Sequence, residues 1–173
     1  MLEAIVLVVF PFCMVFAAVS DLLSMTIANR VSVLLLATFA IAAPMIGMDW
    51  AQIGLHLAAG VLVLAVTFAL FAFGGMGGGD AKLMAATAIW FGFSPVLIQY
   101  FLTAALLGGA LTLLILKFRN SYIGYVSVNN VLLRNLADHK AGIPYGIALG
   151  TAGLFAYPET PFVQWALASL AGV

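Results

Sequence analysis

Apolar residues in this chain come in long blocks, and polar residues gather in the few breaks between them. The blocks run over residues 4–20, 31–48, about 54–73, 81–93, 96–116 and 143–157. A helix of roughly 20 apolar residues matches the roughly 30 Å hydrocarbon core of a bilayer. Only helices and closed barrels satisfy their backbone polar groups there. The pattern predicts an all-α fold, a polytopic membrane bundle of about six transmembrane helices. The blocks are unequal. Residues 81–93 would rise only about 20 Å as a helix, so this fourth span is expected to be short, tilted or recessed at a water-filled cavity. Residues 162–173 are apolar but too short to cross, and are expected at the interface or packed on the bundle.

The breaks carry the turn chemistry. Asp21 to Arg30 is a polar connection, Gly74-Gly75-Met76-Gly77-Gly78-Gly79-Asp80 a glycine-rich one, and Ser94-Pro95 and Pro158 to Pro161 are turns. Residues 117–141 form the long polar connection. Within it Tyr125, Val128, Leu132 and Leu136 recur at helical spacing, as in an amphipathic helix on a membrane surface. Ala104 with Gly108, Ala105 with Gly109, and Gly146 with Gly150 are small-residue pairs four apart, which permit close helix contact. Pro11 inside the first block is tolerated if neighbouring helices satisfy the freed carbonyl. With no repeat or linker, residues 1–173 read as one integral-membrane domain.

Composition agrees. Hydrophobic residues make up 65% and charged residues 7%, against about 25% charged in a soluble domain. A lipid bilayer is the expected surrounding. The zero formal net charge argues against a nucleic-acid partner. Cys13 is the sole cysteine, so it forms no internal disulfide and no cysteine-based metal site. The first turn carries Glu3 and no basic residue, unlike a signal peptide, so residues 1–20 are expected to remain as a membrane helix. With the N-terminus outside, Arg30, Lys82, Lys117, Arg119, Arg134 and Lys140 all fall on the cytoplasmic side. These are every Lys and Arg in the chain, a complete positive-inside bias.

That topology also puts Asp21 and Asp80 on the same side. A loop acid beside a membrane helix is most often simply solvated, and Asp49, Asp138, Glu159 and Glu3 fit that reading. Asp21 and Asp80 each interrupt a boundary between apolar segments, where an ionised carboxylate is costly. If they face each other, one shared proton relieves repulsion and desolvation together. The pair then offers a carboxylate to take a proton from water and a carboxylic acid to polarise a peptide carbonyl. No metal or cofactor is then required. His56 and His139 fall on opposite sides by this topology and cannot share a metal. Asp80 could instead serve purely as a helix N-cap. Gly77, Gly78 and Gly79 beside it would let a substrate backbone approach closely. Lys82 either marks the membrane boundary by snorkelling or tunes the neighbouring acid.

Gly77-Gly78-Gly79-Asp80-Ala81-Lys82-Leu83 resembles the GxGD-x-K-[LM] motif of type IV prepilin peptidases. Asp21, five residues and then Ile27-Ala28-Asn29 resembles their first motif, with Ala28 where the family usually has Pro. Ile143-Pro144-Tyr145-Gly146 resembles the segment that opens their last helix. The short length resembles the tight-adherence (Flp pilus) branch. Larger relatives carry paired cysteines in an added region and also methylate the new terminus, which this chain has no room to do. The resemblance implies catalytic Asp21 and Asp80, with Gly77, Gly78, Gly79, Lys82, Asn29, Pro144, Tyr145 and Gly146 binding substrate or supporting the loops. It implies an aspartic endopeptidase of the bacterial inner membrane that removes the leader of a prepilin at the cytoplasmic face. Presenilin-like proteases share GxGD, but there a Tyr usually precedes the first aspartate, where Ser20 stands here. Two other readings stay open: a small transporter or channel using the acids as an ion site, and a non-catalytic pilus or secretion assembly partner.

Overall fold

The computed structural model describes residues 1–122, 134–138 and 141–172. Among these residues the structure is helical, without strands: α1 (Leu2–Ser24), α2 (Asn29–Met45), α3 (Trp50–Ala72), α4 (Gly78–Phe91), α5 (Pro95–Arg119), α6 (Arg134–Ala137), α7 (Gly146–Ala156) and α8 (Pro161–Ala171), with a 3-10 turn at Tyr157–Glu159. Helices α1, α3 and α5 have 23, 23 and 25 residues and are long and apolar enough to cross a membrane. Helices α2, α4 and α7 are shorter, at 17, 14 and 11 residues. The amphipathic helix expected around Tyr125, Val128 and Leu132, like His139 and Lys140, lies outside the described residues.

Helix α4 is the centre of the bundle. From Leu83 to Phe91 its residues are buried apart from half-buried Met84. It packs chiefly on α3 and α2, while α7 lies between α1 and α5. Small residues set these distances. A Cβ on Gly60 of α3 would collide with the Ile89 side chain, and one on Gly150 of α7 would lie 2.5 Å from the Met14 carbonyl oxygen of α1. The Gly146/Gly150 pair is therefore a close helix contact. The α5 pairs divide: Gly108 packs on Tyr145, whereas Gly109 has open space beside it. Helix α8 does pack on the bundle, burying Phe162, Val163 and Ala166.

Far from the acids, the core is aromatic. Phe10 stacks on Tyr157 with ring centroids 4.0 Å apart, and Trp90 lies 4.7 Å from Phe162. Two polar tips in this cluster find carbonyl partners: Trp90 Nε1 donates to the Leu35 carbonyl at 3.1 Å and Tyr157 Oη to the Val6 carbonyl at 2.7 Å. The bundle's outside is rich in exposed Leu, Val, Ile and Phe, for example Leu102, Leu106, Val61 and Phe68. Such a surface is matched to lipid rather than water.

Candidate active site

Sequence periodicity ends the first helix at Ser20, but α1 continues to Ser24 and carries Asp21 in its last turn. Leu22 and Leu23 are good helix formers and prolong it. Met25 then stops it in a left-handed conformation at φ 53°, its N–H donating back to the Asp21 carbonyl at 2.8 Å. Hydroxyls stitch the turn that follows: Ser20 Oγ donates to the Thr26 carbonyl at 2.8 Å, and Ser24 Oγ lies 2.8 Å from Thr26 Oγ1. This fixes the path to Asn29, the first residue of α2.

The glycine segment does three different jobs. Gly74, at φ +74°, closes α3: its N–H donates to the Phe71 carbonyl, and the Gly75 N–H to the Leu70 carbonyl at 2.8 Å, the paired bonds of a Schellman cap. Gly78 and Gly79 already belong to α4, whose N-cap is Gly77. Asp80 is thus not the N-cap. It stands in the first turn, and its carboxylate accepts the Gly77 N–H, half of a capping box. Gly79 allows a close approach: a Cβ there would lie 3.1 Å from Ile27 Cβ and 3.4 Å from the Ile27 nitrogen. The start of α4 is thereby seated against the turn that follows Asp21. Gly77 faces Asp80 itself, a Cβ there lying 2.9 Å from Oδ2.

The two acids line the same two hollows. One is a cleft of about 580 Å³ walled by Met25, the Gly74–Gly77 segment, Gly142, Ile143 and Tyr145. The other, about 270 Å³, lies against Thr26 and Ile27. Asp21 is 6% exposed, and its Oδ2 accepts the Gly146 N–H at 2.7 Å. A bond from a backbone N–H to a charged carboxylate contributes about 1.5–3 kcal/mol. Gly146 must be glycine: a Cβ there would lie 2.8 Å from Asp21 Cβ and 2.9 Å from Oδ2. Asp80, ahead of the apolar stretch of α4, has its carboxyl pushed up to about 7 by burial; the nearby Asp21 charge adds to the rise and the Gly77 N–H opposes it.

Of the remaining sequence candidates, Tyr145 lines the cleft, whereas Asn29 and Lys82 line a separate apolar hollow. Tyr145 lies against Gly108 of α5, and Pro144 is buried just before it. Asn29 and Lys82 meet each other, Lys82 Nζ donating to Asn29 Oδ1 at 3.0 Å on the exposed side of α2 and α4. Acids outside the cleft have structural work. Asp49 forms a capping box with Gln52 at the start of α3, and Glu159 accepts from Gln99 Nε2 at 3.2 Å. A hollow of about 610 Å³ at the other end of α4 touches His56 and Glu159. His56 is committed there, its Nδ1 2.7 Å from the Ile89 carbonyl and its ring against Gly92. Arg119, which sequence reading counts only as a positive-inside charge, is 8% exposed and donates to the Leu136 and Gly142 carbonyls, both at 2.8 Å. Carbonyl partners distant in sequence leave no residue pattern by which to find them.

The structure is a bundle of apolar helices in which two acids from separate helices line one cleft. The profile of the type IV leader peptidase family matches residues 8–113, a stretch that includes Asp21, Asn29, Asp80 and Lys82, and the chain belongs to that family. No curated protein and no solved structure gives a significant match. Membership implies a protease role toward prepilin-type substrates, and three helices long and apolar enough to cross a membrane fit a membrane protein.

Proposed function

We propose that the chain is an aspartic endopeptidase in which Asp21 and Asp80 together activate water. The observation that carries this reading is that two carboxylates from separate helices line one cleft, one of them pushed up to about 7. Two acids in such a site share a proton and titrate as a unit. The shared proton belongs to the pair rather than to either residue. The ionised carboxylate takes a proton from water as its oxygen attacks the scissile carbonyl. The neutral acid donates a hydrogen bond to the carbonyl oxygen and then its proton to that oxygen. The resulting tetrahedral diol collapses: the protonated acid gives its proton to the nitrogen as the C–N bond breaks, the other carboxylate takes a proton from a diol hydroxyl, and the pair is left again with one proton.

In this reading the chain crosses a bacterial inner membrane about six times with its N-terminus outside. The cleft then opens to the cytoplasm, and the substrate is the leader junction of a Flp-type prepilin. The substrate's apolar helix would dock laterally among the helices, with the scissile bond just beyond the membrane. Gly77, exposed beside Asp80, leaves room for its backbone. Asn29 and Lys82 brace α2 against α4, and Pro144, Tyr145 and Gly146 support Asp21. One domain suffices, and the reaction asks for no cofactor.

The test is cleavage of a co-expressed prepilin by wild type, Asp21→Asn and Asp80→Asn at matched membrane levels. Each variant is expected to lose at least about 10²-fold, the lower end for positioned acid–base groups. Variants that cut as well as wild type would overturn the dyad.

A further inference from the structure

The Gly146 N–H belongs to the first residue of a short helix, and what precedes it is irregular chain. Something must hold that chain still if its amide is to stay on Asp21. Arg119 is the last residue of α5, yet its guanidinium turns inward and is nearly buried, whereas Lys117 one half-turn earlier is exposed. Nε takes the Leu136 carbonyl of α6 and Nη2 the Gly142 carbonyl, four residues before Gly146. From the other side, Asn135 Nδ2 donates to the Leu23 carbonyl at the end of α1 at 2.9 Å. Tyr145 closes the arrangement against Gly108 of α5. The ends of α1 and α5 are thus tied to one segment, and that segment delivers the amide that Asp21 accepts.

We propose that Arg119 is a positioning residue for Asp21, clamping the chain between α6 and α7 so that the Gly146 amide stays aimed at the carboxylate. The proposal rests on the reading of Asp21 as catalytic. A guanidinium suits the task because its planar fork reaches two carbonyls at fixed separation, whereas an ammonium is a single point donor. Arg119 is not among the residues that line the cleft and reaches its wall through the Gly142 carbonyl, so its effect passes through the backbone. It alters turnover and leaves substrate affinity alone.

The experiment compares full-length wild type, Arg119→Gln, Arg119→Lys and Asp21→Asn, each purified in detergent, on one prepilin. Arg119→Gln is expected to lower kcat by on the order of 10²-fold, the cost of a misplaced catalytic group, with KM within about twofold of wild type. Arg119→Lys is expected to recover part of the loss. Hydrogen exchange at residues 141–147 should quicken in Arg119→Gln while the cores of α1 and α4 stay protected. Wild-type kcat in Arg119→Gln would overturn the proposal. So would a loss accompanied by faster exchange throughout the bundle, which would make Arg119 a residue of the fold alone. If Asp21→Asn cleaves like wild type, the dyad reading itself falls and takes this proposal with it, whatever Arg119→Gln does.

Discussion

The two ends of α4 are built on opposite plans. Around Trp90 and Phe91, Phe10 contributes rings at 5.3 and 5.7 Å and Phe162 and Tyr157 complete the packing, with almost no exposed surface. Around Asp80 the neighbours are glycines, a half-buried tyrosine and backbone amides. At one end large side chains lose water, which is where stabilisation comes from. At the other, position depends on single hydrogen bonds and on the absence of Cβ atoms. Functional segments are drawn from the less stable parts of a fold, and here the aromatic end anchors the helix whose other end carries the acid.

This division can be broken deliberately. Trp90→Ala at the aromatic end should cost about 3–5 kcal/mol of stability while leaving kcat per folded molecule near wild type; thermal unfolding alongside a cleavage assay reads both. Gly146→Ala should do the reverse. Its Cβ would press on Asp21, and cleavage should fall by on the order of 10²-fold with the unfolding midpoint lowered far less than in Trp90→Ala.

The acid end also has a pH signature. The Asp80 carboxyl is raised from 3.8 to about 7 in the folded protein. Its contribution to stability is therefore full below about pH 4 and is lost as pH rises through about 7. Wild type should unfold at a higher temperature at pH 5.5 than at 8.5 by a margin that Asp80→Asn reduces; an unchanged margin in the variant would contradict the buried placement of Asp80. The smallest effect belongs to Lys82→Gln. It weakens one exposed bond to Asn29, worth about 0.5–1.5 kcal/mol at most, and initial cleavage rates should change by less than about tenfold.

Much of this was legible in the chain. Blocked hydropathy predicts the helices, and the charge bias predicts Asp21 and Asp80 on one side of the membrane. The structure brings both to one cleft. Helix ends were read less well. Asp21 sits inside α1 because helix formers follow it, and Gly78 and Gly79 are helical because Asp80 caps from within. Gly77, Gly78 and Gly79 read as room for a substrate, but Gly79 is used by the protein's own chain, against Ile27. The Arg119 clamp was invisible because its partners are carbonyls, which every residue has. Asn29 and Lys82 were each picked out, but nothing in their spacing indicated that they bond to each other.

The length of α4 has a consequence beyond the protein. Its 14 residues rise about 21 Å, against about 35 Å for the 23 residues of α3 beside it. The start of α4 is level with the end of α3, Gly78 lying against Phe71, and the missing length is at the other end, where Gly92 meets His56 well inside α3. A bilayer fitted to the long helices therefore meets its recess at the aromatic end, at the hollow of about 610 Å³ beside His56 and Phe91. Hydrophobic mismatch costs only fractions of a kcal/mol per Å. Short-chain lipids can therefore thin the membrane toward that recess at little cost, while the acid end of α4 keeps its level with the end of α3.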